Sequence, residues 1–158
     1  MRLLELVIAA GLAVLVASTI AAFWQGRKSY AVRASVAAVS ALVDDARAVA
    51  QTSGNGATIA LAGDGENGFV AALYPFRPLP SSLTTASATR TIKGNVALAP
   101  IPLGIFVSSS ATVSAAPWTA TDGTLATEPT CSAPIALRFD DGSYRETHSI
   151  ACDDARLR

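Results

Sequence analysis

Charge is scarce in this chain. Asp, Glu, Lys and Arg make up 15% of its 158 residues, where about 25% is usual for soluble domains. The 12 basic and 12 acidic residues cancel, so no broad positive field exists to gather nucleic acid non-specifically. Histidine is reduced to His148. A Ser-His-Asp site would need that ring in a pocket with a nucleophile and an orienting acid, and a strand-like run around it offers no such setting. One histidine and two cysteines cannot build a zinc centre of the usual kind. No cofactor or metal is therefore expected, and no enzymatic activity. Proline is missing before Pro75, so nothing breaks a helix in the N-terminal part.

What the N-terminus has is a long uncharged run. Met1-Arg2-Leu3-Leu4-Glu5-Leu6 opens a stretch without charge from Leu6 to Trp24. A helical membrane span needs roughly 20 apolar residues, and a carboxylate near hydrocarbon costs about 2.5–3.5 kcal/mol. Glu5 at the mouth of the run therefore needs a reason. Three readings fit: a cleavable signal peptide, a plain membrane anchor, or the first half of a longer helix. A signal peptide has an apolar core of about 7–15 residues and a basic start; this run is longer and carries an early acid. In the anchor reading, Glu5 only marks the membrane interface.

The third reading rests on the residues that follow. Val32, Val36, Val39, Val43, Ala46 and Ala50 recur at steps of three and four, which places them on one helix face. Arg33, Asp44, Asp45 and Arg47 lie off that stripe, and Asp44 is spaced to pair with Arg47. Thr52-Ser53-Gly54-Asn55-Gly56 is the first clear stop signal. A helix of that length would run roughly 80 Å.

Leu3-Leu4-Glu5-Leu6, the apolar run and its amphipathic extension resemble the mature N-terminus of type IV pilins and type II secretion pseudopilins. In that family a prepilin peptidase removes a short leader, the new first residue is N-methylated, and Glu at the fifth mature position is the hallmark. The resemblance implies that Met1 is the processed residue, where Phe is usual. It also implies that Glu5 meets the N-terminal amine of a neighbouring subunit. Opposite charges attract strongly in a low-dielectric core, while either alone is costly there. The family's helix-bending proline is missing; Ala21, Ala22 and Phe23 occupy its neighbourhood.

Beyond Gly54 the pattern turns to short strands. Ala57–Leu61 and Phe69–Tyr74 flank the turn-rich Gly63–Gly68 and read as a hairpin. Tyr74–Pro80 must leave any central strand, since proline cannot donate to a ladder. Ser81–Thr89 reads as a polar loop, and Arg90–Lys93, Asn95–Leu98 and Ile105–Ser108 as further strands. Ser108–Glu128 is rich in Ser, Thr, Ala and Gly, with Trp118 as its one large anchor. Ile135–Phe139 and Ser143–Ile150 read as a hairpin around Asp140-Asp141-Gly142. Cys131 and Cys152 bracket it, so a disulfide in an oxidising compartment is expected ahead of two reduced thiols. It would stabilise by roughly 3 kcal/mol.

Phe139 followed by Asp-Asp-Gly-Ser also has a weaker likeness to GspH- and FimT-like pseudopilins. Some pseudopilins bind calcium near the C-terminus, but Asp64–Gly68 and Asp140-Asp141 read as ordinary turns. Some FimT-like minor pilins capture DNA through a Gly-Arg-x-Arg motif. Here Ala155 replaces the glycine, Asp153 and Asp154 weaken the local field, and Arg156 and Arg158 remain as candidate phosphate contacts.

The expected architecture is α+β and pilin-like. Residues 1–53 form a long N-terminal helix, with 1–25 as transmembrane segment and filament core and 26–53 as amphipathic spine. That helix packs on a small antiparallel β-sheet domain over 54–158. The expected function is a structural subunit of a type IV pilus or related filament, partnered by copies of itself, other pilins, prepilin peptidase and the assembly machinery. It would sit in the inner membrane before assembly and in an extracellular or periplasm-spanning filament after. The competing expectation is a minor subunit at a filament tip that binds DNA or a surface.

Overall fold

In the computed structural model the backbone is described for residues 2–75, 83, 87–119 and 122–158. The side chains of 2–11, 25 and 27–29 lie outside that description. The expected pairing of Met1 with Glu5 therefore falls outside the described residues, as do most of the Tyr74–Pro80 exit and the Ser81–Thr89 loop.

Helix α1 runs Arg2–Ser53. It ends where the sequence loses side chains. Gly54 takes φ 71° and its N–H donates to Ala50 O at 3.2 Å, the left-handed closure that favours glycine. Nine strands follow among the described residues: β1 Ala57–Gly63, β2 Phe69–Tyr74, β3 Arg90–Gly94, β4 Ala97–Ala99, β5 Leu103–Val107, β6 Val113–Pro117, β7 Ile135–Asp140, β8 Arg145–Ala151 and β9 Asp154–Leu157. They form a five-stranded sheet ordered β3-β2-β1-β5-β6 and a four-stranded sheet ordered β4-β7-β8-β9. Every pairing is antiparallel. Between β4 and β5 the Ala99–Pro100 and Ile101–Pro102 bonds are cis.

One core joins the helix to both sheets. Val32, Val39, Leu42, Val43, Ala46 and Ala50 are buried with Ile59, Leu61, Phe69, Leu73, Ile105, Leu137, Phe139 and Ile150. The Phe69 and Phe139 rings meet edge to face at 6.2 Å, one from each sheet. Strand β1 is buried on both faces. Ile59 and Leu61 point to the main core, while Ala60 and Ala62 join Ala72, Tyr74 and Trp118 in a smaller cluster. Leu83, Ala88 and Leu125 close over that second cluster.

These observations correct the expected fold. The β part is larger than a small sheet, because two segments read as loop or tail also pair. Val113–Pro117 hides in an Ala/Ser stretch, and Asp154–Leu157 hides in the charged tail. No helix among the described residues is long and apolar enough to cross a membrane. Residues 12–24 and 30–53 of α1 differ in their surroundings. Only the second, 30–53, contributes to the buried core. A long helix with a membrane span packed on a small sheet therefore does not describe this fold.

Candidate assembly surface

The described residues from 12 to 30 carry an unusual surface. Leu12, Val14, Leu15, Val16, Ile20, Phe23, Trp24 and Tyr30 are each more than half exposed, with Val14 at 70% and Tyr30 at 74%. Numbers 12, 14, 15, 16 and 20 fall around the whole helix circumference at 100° per residue, so this is no single stripe. A helix apolar on all sides is found inside something larger. Scattered exposed apolar residues are ordinary, but a contiguous set of this size marks an interaction site.

The polar side chains in this stretch do not oppose burial. Ser18 Oγ donates to Leu15 O at 2.9 Å and Thr19 Oγ1 donates to Val16 O at 2.8 Å. Both hydroxyls donate to the helix's own carbonyls, so neither needs a partner from outside the helix. Covering the stretch would strand neither donor.

The helix is fastened to the sheets by ion pairs on three strands. Arg33 Nε lies 3.6 Å from Glu146 Oε1 on β8, and its guanidinium stands 6.0 Å from the Tyr144 ring centroid. Arg47 lies 3.8 Å from Asp154 on β9. Arg90 on β3 bonds Asp45. The expected Asp44–Arg47 pair is not formed among the described residues, because the tertiary partner Asp154 outcompetes a neighbour on the exposed helix surface.

Glu146 is the hub of this fastening. Tyr144 Oη donates to its Oε1 at 2.7 Å, and His148 Nε2 lies 3.2 Å from its Oε2. The Tyr144 hydroxyl, then His148, hold its carboxyl below the ordinary 4.5. Tyr144 and Glu146 also raise the Arg33 guanidinium. Sequence reasoning missed this cluster. Its one local sign was Tyr144, Glu146 and His148 alternating along a strand; the partner on the helix lies far away in sequence.

The remaining candidates have structural settings. Cys131 and Cys152 form a disulfide with Cα atoms 5.5 Å apart. Arg156 and Arg158 both face Asp154, at 3.6 and 2.7 Å. His148 also packs edge-on against Phe139 at 6.2 Å, with its Nε2 toward Glu146. Asp64 Oδ1 accepts from the Glu66 and Gly68 N–H groups at 2.8 and 2.9 Å. Asp141 Oδ1 accepts from Ser143 and Tyr144 at 2.9 Å. Both acids are thus turn-formers. Among the described residues no three of His, Cys, Asp and Glu are grouped to hold a metal ion.

No protein-family model, no curated protein and no solved structure matches the chain.

Proposed function

We propose that this chain is a structural subunit of a filament of the type IV pilus kind, which polymerises by bundling the apolar part of α1 with that of its neighbours. The observation that carries the reading is the all-round exposure of Leu12, Val14, Leu15, Val16 and Ile20. Neighbouring copies of the same helix would cover every side of it, which a single groove could not. The internally bonded Ser18 and Thr19 suit that dry setting. Burial of apolar area contributes about 25 cal/mol per Å². Glu5 would supply register by meeting the Met1 amine of an adjacent subunit. Prepilin peptidase and the assembly machinery are the partners this reading requires. The disulfide suits an oxidising location outside the cytoplasm.

The β part would form the outer surface, joined to the bundle through Arg33, Asp45 and Arg47. The DNA-binding tip reading has less support, since Arg156 and Arg158 share Asp154 between them. Electron microscopy and mass spectrometry of sheared filaments provide the test. The chain should be found as an integral component, and Glu5→Leu should reduce its incorporation while leaving the β part folded. Wild-type incorporation of Glu5→Leu would refute the pairing. A chain that stays outside every filament would refute the subunit reading.

A further inference from the structure

Strand β6 closes one edge of the five-stranded sheet, and an open edge invites pairing with another chain. Here three devices cover it. Ala115 exchanges both backbone bonds with Thr130, N–H to O at 3.0 Å and O from N–H at 3.1 Å. Pro117 O accepts from Ala126 N–H at 3.0 Å. Val113 N–H donates to Cys152 O at 2.8 Å, across to the other sheet. Pro117 itself has no N–H to leave open.

The covers meet at a single covalent bond. Cys131 follows Thr130 directly, and its sulfur is bridged to Cys152, whose carbonyl caps Val113. Further along, Leu125 bridges Trp118 and Thr124 O accepts from Thr119 N–H at 2.8 Å. Residues 126–128 and 130 are exposed, and Leu125 is the side chain that reaches the core beside Trp118.

The groups beneath this cover are self-complementary. Antiparallel pairing of β6 with β6 of a second copy, about a two-fold axis at Ala115, would set Ala115 opposite Ala115 and Val113 opposite Pro117. Each Ala115 would exchange both bonds with its mate, and each Val113 N–H would find a Pro117 carbonyl. The same donors and acceptors now used by Thr130, Ala126 and Cys152 would all be satisfied. Pro117 has no N–H to offer the mate's Val113 O, so that carbonyl stays unpaired at each end of the ladder.

We infer that the Cys131–Cys152 disulfide is an edge guard: it keeps residues 124–131 closed over β6, and without it two copies pair through their β6 strands. This gives the bridge a task apart from general stability, since it holds back sheet-to-sheet association while the helix governs assembly.

Hydrogen exchange resolved to single amides, on the full chain in detergent, tests this with Cys131→Ser/Cys152→Ser. At low protein concentration the Val113, Ala115 and Thr130 amides should exchange at least about tenfold faster than in wild type, with Ile59 and Leu73 unchanged. At high concentration protection should return at Val113 and Ala115 but not at Thr130. Wild-type exchange at Ala115 in the dilute variant, or acceleration shared equally by Ile59 and Leu73, would overturn the guard. Concentration-independent exchange at Ala115, or Thr130 regaining protection together with it, would overturn the pairing.

Discussion

Two leucines on the same helix should respond to the same substitution in opposite ways. Leu42 is fully buried in the core between the helix and the sheets, whereas Leu15 is 63% exposed. Leu42→Ala removes methylenes from a packed site and leaves a cavity, so it should cost about 2–5 kcal/mol of folding stability. At about 3 kcal/mol the melting temperature of a domain this size would fall by roughly 6–12 °C. Leu15→Ala deletes surface already in contact with solvent and should change folding stability by less than about 0.5 kcal/mol. Its loss should register in assembly instead. Full burial of a leucine contributes about 1.5–3 kcal/mol, so truncation should raise the critical concentration for polymerisation roughly 10- to 100-fold. The assays are thermal unfolding of the chain in detergent, followed by near-ultraviolet circular dichroism, and sedimentation of polymer after detergent removal. Equal loss of melting temperature in both variants would refute the reasoning, because Leu15 would then belong to the fold. Unchanged polymerisation of Leu15→Ala would show that the apolar stretch is not the assembly surface.

Two other predictions concern the β part. Gly94 faces Phe69 across the β2–β3 pair, and a Cβ there would run into the Phe69 ring. Gly94→Ala should cost about 1–3 kcal/mol, with part of the loss recovered in Gly94→Ala/Phe69→Leu; additive losses in urea unfolding would argue against the contact. Because the Glu146 carboxyl is held below its ordinary 4.5, the native state favours its charged form. That contribution is complete above about 4.5 and is lost as pH falls through the lower native value. Glu146→Gln should therefore be less stable than wild type at neutral pH and show a shallower fall in melting temperature below pH 4.5; parallel curves would rule out the hub role.

Legibility in the sequence followed the range of the interactions. The hairpin of β1 and β2 could be read because Ala57–Leu61 and Phe69–Tyr74 flank a turn whose chemistry is local. The stop at Gly54 could be read for the same reason, and the disulfide because the hairpin brings both ends together. The helix face from Val32 to Ala50 was legible from its period, and those of its residues that are fully buried lie in the core. Strands β6 and β9 were not legible. Val113-Ser-Ala-Ala-Pro117 has few β-branched residues and becomes a strand through its neighbours β5 and the 126–130 segment. Asp154-Ala-Arg-Leu157 has the alternation of a strand, but charge and terminal position masked it. The size of the β part was misjudged for that reason. The ion pairs failed differently: Arg33 to Glu146 and Asp45 to Arg90 join elements far apart in sequence, and no spacing rule reaches that far. Asp44 and Arg47 had the right spacing, and Arg47 found Asp154 instead.

The placement of those three ion pairs also has a mechanical meaning. Asp45, Arg47 and Arg33 tie one helix to β3, β9 and β8, and the buried side chains between Val32 and Ala50 interlock with the same sheets. A pull along the helix axis would load these contacts side by side, so they would have to yield together. A pull across the axis would peel them in turn, starting at Arg33 where the helix leaves the sheets. The fold should therefore resist tension along the helix axis far better than bending where the helix leaves the sheets.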